Sequence, residues 1–216
     1  MSIWAIVPIK PLNRAKSRLA SVLSAEQRAY LALEMLRHNL RVLIEVPGLD
    51  GVLVISRDTK ALAEAREFKN VQTLQESGTP ELNQALQRAI QMLISWGTTA
   101  TLILPADIPL LSRTDVENIL KFGDVDSGIV IAPDRLEDGT NAIFTRPPGV
   151  IEFGFGRGSF VKHVQKAENA GANLHIYRSE RIGLDVDSPE DLAKYAELAA
   201  RYGEKMIDFE NMISSE

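Results

Sequence analysis

The stretch Thr101-Leu102-Ile103-Leu104-Pro105-Ala106-Asp107-Ile108-Pro109-Leu110-Leu111 decides how the rest of the chain is read. Thr101 to Pro105 is a short, continuous apolar run, which suits a strand buried on both faces of a parallel sheet. Pro105 has no N–H for a ladder, so the strand is expected to end there. Asp107 then stands just past the carboxyl end of a central strand, where open α/β sheets bind their ligands. A carboxylate between Leu104 and Leu110 is costly to bury unpaired, and a bound cation is one compensation. A turn residue or the cap of the following helix is the other reading of Asp107.

Around this strand, strands alternate with helices. Ile3 to Pro8, Val52 to Ser56 and Val71 to Leu74 read as strands. Helices are expected over Ala25–Val46, Thr59–Phe68, Glu81–Trp96 and from Ser112 to Leu120. Ser24-Ala25-Glu26-Gln27 fits a capping box. This alternation predicts an α/β fold with a mainly parallel central sheet and helices on both faces. Further strands are expected over Gly128–Pro133, Ala142–Thr145, Leu174–Tyr177 and Ile182–Asp187, and a helix over Ser159–Ala170. Ser188-Pro189-Glu190-Asp191 is a helix start, with a Ser cap, Pro at the first position and acids in the first turn. The glycine- and proline-rich segment 134–158 reads as an irregular insertion, and residues 204–216 as a peripheral tail of one domain spanning 1–216.

Bulk properties narrow the function. The chain has 216 residues, a net charge of -5 and no cysteine, which excludes disulfides and thiolate metal sites. An acidic balance argues against a nucleic-acid binder. No apolar run is long enough to span a membrane. The N-terminus carries no charged leader ahead of an apolar core, so a cytoplasmic location is expected.

Four short constellations carry chemistry. Lys10, Arg14, Lys16 and Arg18 place four cations in nine residues directly after the first strand. Such a loop could hold a triphosphate, or it could be plain solvated surface. Neither G-x-x-x-x-G-K-[ST] nor G-x-G-x-x-G is present. Asp185-Val186-Asp187 ends the last expected strand, so both carboxylates would share a face, with magnesium as a suitable hard cation. Asp187 could instead cap the next helix. In Asp138-Gly139-Thr140-Asn141 the Asp-Gly pair is a tight-turn signal that leaves Thr140 and Asn141 free to reach an oxyanion. Phe153-Gly154-Phe155-Gly156-Arg157-Gly158-Ser159 sets three glycines just before a helix, whose unpaired N–H groups and Ser159 hydroxyl could bind an anion. Arg157 and His163 add nearby cations. A glycine-rich turn with Ser159 as a simple N-cap is the alternative.

Taken together, Val7-Pro8-Ile9-Lys10-Pro11-Leu12 with Arg14-Ala15-Lys16-Ser17-Arg18-Leu19, Leu104 to Leu110, Pro133-Asp134-Arg135 with Asp138 to Asn141, Phe153 to Phe160 with His163, and Gly183 to Leu192 resemble the 2-phospho-L-lactate / phosphoenolpyruvate guanylyltransferases of coenzyme F-420 biosynthesis. The motifs lie in the family's order and span nearly the whole chain. The resemblance implies a Rossmann-related, GT-A-like nucleotidyltransferase fold, GTP and a small phosphorylated three-carbon acid as substrates, and magnesium. It implies Asp107, Asp185 and Asp187 as metal ligands, and Asp107, Lys16 and Arg18 as catalytic groups. Thr140, Gly156 and Ser159, with Asn141 beside them, become the acceptor positions. Pro8, Lys10, Lys16, Arg18, Gly78, Asn83 and Pro105 become nucleotide contacts.

The chemistry needs no general base, because a phosphate with a second pKa near 6 is already largely ionised at neutral pH. Three other readings compete. Asp185-Val186-Asp187 is a D-x-D, as in sugar-nucleotide glycosyltransferases, although there it normally sits mid-chain. Molybdenum-cofactor guanylyltransferases open with a glycine-rich loop, which Pro8-Ile9-Lys10-Pro11 lacks. A non-catalytic nucleotide sensor would tolerate loss of the Asp107 carboxylate. Phosphoenolpyruvate is the acceptor expected, with 2-phospholactate or 3-phosphoglycerate as alternatives that no single residue separates from it, and a homo-oligomer is compatible with the sequence.

Overall fold

Apolar residues alternate along the strands and sort onto the two faces of one sheet. Ala5, Val7, Val52, Val54, Leu102, Val130, Ala132 and Phe144 belong to one buried cluster. Ile6, Leu53, Ile55, Ile103, Ile129, Ile131 and Ile143 belong to the other. Burial on both faces is the condition under which strands read as unbroken apolar runs.

The computed structural model describes residues 2–77 and 81–208. Its strands are β1 Ile3–Pro8, β2 Gly51–Ser56, β3 Val71–Gln75, β4 Ala100–Ile103, β5 Gly128–Pro133, β6 Thr140–Thr145 and β7 Asn173–Ile176. They form one sheet in the order β3-β2-β1-β4-β6-β5-β7. β6 runs antiparallel to both of its neighbours, and the other pairs are parallel. The helices are α1 Ala25–Ile44, α2 Thr59–Arg66, α3 Leu82–Ser95, α4 Arg113–Phe122, α5 Ser159–Asn169 and α6 Pro189–Tyr202. α1, α2 and α4 cover the first face through residues such as Leu36, Leu62 and Ile119. α3 and α5 cover the second through Leu86, Ile90 and Phe160. α6 packs separately, through Tyr195 and Leu198, on Leu19, Leu31, Leu110 and Leu184. Among the described residues, no helix is long and apolar enough to cross a membrane.

The capping box at Ser24 is formed, with its side chain accepting from Gln27 N–H. Ser188 makes a second box with Asp191 ahead of Pro189. These local devices stop and start the helices where the sequence placed them.

Four expectations are corrected. Ile182–Asp187 is not a strand: its backbone bonds go to loops, with Val186 N–H donating to the Asp107 carbonyl at 3.2 Å and Arg135 N–H to the Gly183 carbonyl at 2.8 Å. The β4 ladder ends at Ile103, although Leu104 and Ala106 continue to donate to β1, at the Ile6 and Pro8 carbonyls. The short strand expected at Ala142–Thr145 within the irregular segment 134–158 starts two residues earlier, at Thr140, and lies between β4 and β5. Within the expected tail, Met206 and Ile207 pack against the α6 cluster.

Gly128 opens β5 against the end of α4, and a Cβ there would stand 2.6 Å from the Gly123 carbonyl oxygen. That neighbour is backbone and cannot turn aside. Gly128→Ala should therefore cost about 1–3 kcal/mol of stability, read as a lower denaturant midpoint at unchanged m-value. An unchanged midpoint would show that the β5–α4 junction is looser than described.

Candidate active site

β1 leads to β2 and β3 on one side, and the chain then returns to place β4 on the other. The carboxyl ends of β1 and β4 thus flank the point where strand order reverses, the usual ligand crevice of open α/β sheets. A cleft of about 960 Å³ opens there, within the size range of small-molecule sites. Pro8, Lys10, Lys16, Arg18, Pro105, Asp107, Thr140, Asn141, Gly156, Ser159, Asp185 and Asp187 all line it. Residues far apart in sequence are gathered on one wall or the other.

On the floor, Asp107, Asp185 and Asp187 each offer a carboxylate oxygen within 4.8 Å of the others. The last two arrive on the extended 184–187 segment, which is stitched to Asp107 through Val186 N–H. Asp191 Oδ2 accepts from the Asp187 and Ser188 amides and orients that segment. Asp185 is pushed up to about 6 by burial and by the charge of Asp107, against the hydrogen bond it accepts from the Asn141 amide. Three oxygen donors with no nitrogen or sulfur fit a hard divalent cation.

Lys16 reaches the same acids. Its backbone is left-handed, at φ 52°. Its buried ammonium donates to Asp107 Oδ2 at 2.9 Å and to Asp187 Oδ1 at 2.8 Å. Burial alone would lower its pKa, but the two carboxylates prevail and raise it. Burial by itself would lift Asp187, and Lys16 outweighs that, so Asp187 lies below the ordinary carboxylate range. Lys10 and Arg18 stand exposed at the rim.

The opposite wall is built on β6 and α5. Asp134 accepts from the amides of Leu136, Asp138 and Gly139 and so fixes the loop that leads into Thr140. Asn141 donates to the Ile182 carbonyl at 2.8 Å and to Asp185 Oδ1 at 3.3 Å, tying this wall to the acidic floor. Gly156 has φ +125°, a backbone state that side chains rarely adopt. The amides expected to be free at the α5 start are largely used: Gly158 donates to Asp138 Oδ2, Ser159 to the Gly156 carbonyl and Phe160 to the Asp138 carbonyl. The Ser159 hydroxyl, by contrast, bonds no described residue.

Two expected residues land elsewhere, and a third lies outside the described residues. His163 is no surface cation. It is fully buried against the rings of Phe153 and Phe155, with Nδ1 2.9 Å from Thr140 Oγ1 and Nε2 accepting from Gly154 N–H at 2.9 Å. Asn83 does not line the cleft: its amide donates to the Phe155 carbonyl and accepts from Phe155 N–H, clamping the glycine-rich loop from α3. Gly78 lies outside the described residues. Conversely, Arg57 lines the cleft without having been expected. It follows the carboxyl end of β2, the same positional signal that marked Asp107.

Residues 3–199 match the family model described as "Guanylyl transferase CofC like". The chain is 42% identical over 194 residues, 90% of its length and 93% of the relative, to a phosphoenolpyruvate guanylyltransferase of Rubrobacter xylanophilus. It is 35% identical over 189 residues, 88% of its length and 82% of the relative, to a 2-phospho-L-lactate guanylyltransferase of Methanocaldococcus vulcanius. Among solved structures it is similar to one titled as a nucleotide-diphospho-sugar transferase of Desulfovibrio desulfuricans, with a TM-score of 0.75, 19% identity and coverage of 92% of this chain and 88% of that one. A nucleotidyl transferase from a Methanothermobacter shows a TM-score of 0.65 at 14% identity, over 93% of this chain and 99% of that one. At those identities the structures establish the fold, a mostly parallel nucleotidyltransferase sheet.

Burial, then the charges of Lys166 and Lys162, lower the His163 pKa from 6.5 to about 4. The unfolded chain therefore binds a proton near pH 6.5 that the folded protein refuses until about pH 4, so stability falls as pH drops through that window. The loss from this one group should reach about 3 kcal/mol. Urea unfolding of His163→Gln at several pH values between 7.5 and 4.5 should show a flatter decline than the parent, and parallel curves would contradict the assignment.

Proposed function

This chain belongs to the CofC-like guanylyl transferases, and from that premise we propose that it transfers GMP from GTP to phosphoenolpyruvate, giving enolpyruvoyl-2-diphospho-5'-guanosine and pyrophosphate for coenzyme F-420 biosynthesis. The observation that carries the reading is one cleft holding three convergent carboxylates on its floor and Thr140, Gly156 and Ser159 on its wall. The first group suits a metal–triphosphate, and the second suits a small phosphorylated acid. The choice of phosphoenolpyruvate follows the 42% identical relative, named for that substrate. The 35% identical relative is named for 2-phospho-L-lactate, which makes that acid the alternative.

Asp107, Asp185 and Asp187 would hold magnesium, which when bound supplies charge neutralisation to the triphosphate. Lys10 and Arg18 at the rim draw the polyanion in, and Lys16 sets a fixed positive charge beside the reacting phosphate. Thr140 and Ser159 offer hydroxyls to the acceptor, and Gly156 lets backbone approach it closely. An oxygen of the acceptor phosphate attacks the α-phosphorus of GTP. That P–O bond forms as the bond from the α-phosphorus to the α–β bridging oxygen breaks, and pyrophosphate leaves with the electron pair. The nucleophile is already ionised, so positioning and charge neutralisation supply the catalysis.

Mass spectrometry after incubation with GTP, magnesium and each of phosphoenolpyruvate, 2-phospholactate and 3-phosphoglycerate tests the assignment. The guanylylated enolpyruvate should dominate, and the absence of all three products would end it. Asp107→Asn should lower kcat/KM by at least about 100-fold, with melting temperature as the fold control. Ser159→Ala should raise the KM of the acceptor by roughly tenfold and leave that of GTP unchanged. An unchanged acceptor KM would remove Ser159 from the site.

A further inference from the structure

His163 does not itself line the cleft, yet two of its contacts fix its chemistry. A backbone N–H can only donate, so Gly154 N–H at 2.9 Å from Nε2 requires a lone pair on that nitrogen. In a neutral ring the proton then resides on Nδ1. Nδ1 lies 2.9 Å from Thr140 Oγ1 and must donate to it. One lone pair of the Thr140 oxygen accepts that bond, and the hydroxyl's own proton has to point away from the ring. Thr140 Oγ1 has no other partner among the described residues, and Thr140 lines the cleft.

We infer that His163 is a positioning residue: through its Nδ1–H it turns the Thr140 hydroxyl proton away from the ring and toward the anionic acceptor, while its Nε2 anchors the Gly154–Gly156 loop. The ligand it serves is a carboxylate or phosphate oxygen, because only an acceptor can use a hydroxyl so oriented. The surroundings hold the ring in that state. Gly154 N–H would oppose a proton on Nε2, the Phe153 and Phe155 rings exclude water, and the nearest charged neighbours on α5, Lys162 and Lys166, disfavour an imidazolium. Without a proton on Nδ1 the hydroxyl would itself donate to the ring, and its proton would be lost to the ligand.

The inference rests on the acceptor-site reading above, so its test has one arm that does not need turnover. The chain has three histidines, and the imidazole nitrogen resonances of His163 are identified by their loss in His163→Gln. At pH 7 they should show the Nδ1–H tautomer, whereas an Nε2–H or doubly protonated pattern overturns the relay whatever the enzyme does. The second arm is a double-mutant cycle. His163→Gln puts an amide oxygen where Nε2 stands and keeps the Gly154 anchor, but removes the donor to Thr140. It should raise the acceptor KM about tenfold, with GTP KM unchanged. In a Thr140→Val background the same change should have almost no further effect on acceptor KM, because the hydroxyl it orients is gone. Equal fold-changes in both backgrounds, or a matching rise in GTP KM, overturn the positioning role. If Thr140→Val alone leaves acceptor KM unchanged, the acceptor-site reading itself fails and takes the relay with it, while an Nδ1–H signal would still establish the tautomer.

Discussion

Three carboxylates held within 4.8 Å of each other are the constraint around which the cleft is built. At an effective dielectric near 20, two unit charges at that separation repel by about 3 kcal/mol. The protein meets this in two ways. Lys16 is buried between Asp107 and Asp187, and Asp185 keeps its proton to unusually high pH. Neither is a low-energy arrangement in isolation. Lys16 adopts a left-handed backbone to reach its partners, and Asp185 is buried beside a charge of its own sign.

Holding the acids together demands support from distant parts of the chain. The 184–187 segment is kept in place by one backbone bond to Asp107, by the Asn141 amide and by the Asp191 carboxylate at the start of α6. Asn141 is also next to Thr140, so the strand that shapes the opposite wall is tied directly to the acidic floor. The glycine-rich loop is gripped from both sides, by Asn83 of α3 and by His163 of α5. Left-handed glycines at 156 and 158 make the loop's path available, and these clamps decide which path it takes. The cost of ordering this loop is met in folding.

Much of this was legible in one dimension. Short apolar runs defined β1, β2 and β5 to within a residue, and the Ser24 and Ser188 caps marked helix starts by local hydrogen bonding alone. Asp107 was found because strand ends in α/β sheets are where ligands sit, and Arg57 could have been found by the same rule. The 182–187 segment was misread because Ile182, Leu184 and Val186 are buried in alternation, as in a strand. Burial with period two does not reveal whether backbone groups meet a ladder or a loop.

The amino-acid sequence by itself determined the α/β class, the order of most elements and the identity of the residues with chemistry to offer, because period, capping and turn preferences act over a few neighbouring positions. Only the tertiary structure decided what those residues do to one another. That Lys16 bridges two acids and that Asn83 clamps a loop rather than facing the cleft both depend on partners dozens of residues away, and the buried contacts of His163 depend on how the glycine-rich loop and β6 are brought around it. Electrostatic and hydrogen-bond roles are set by distance in space, and a chain folded through seven strands brings together groups whose separation in sequence carries no trace of it.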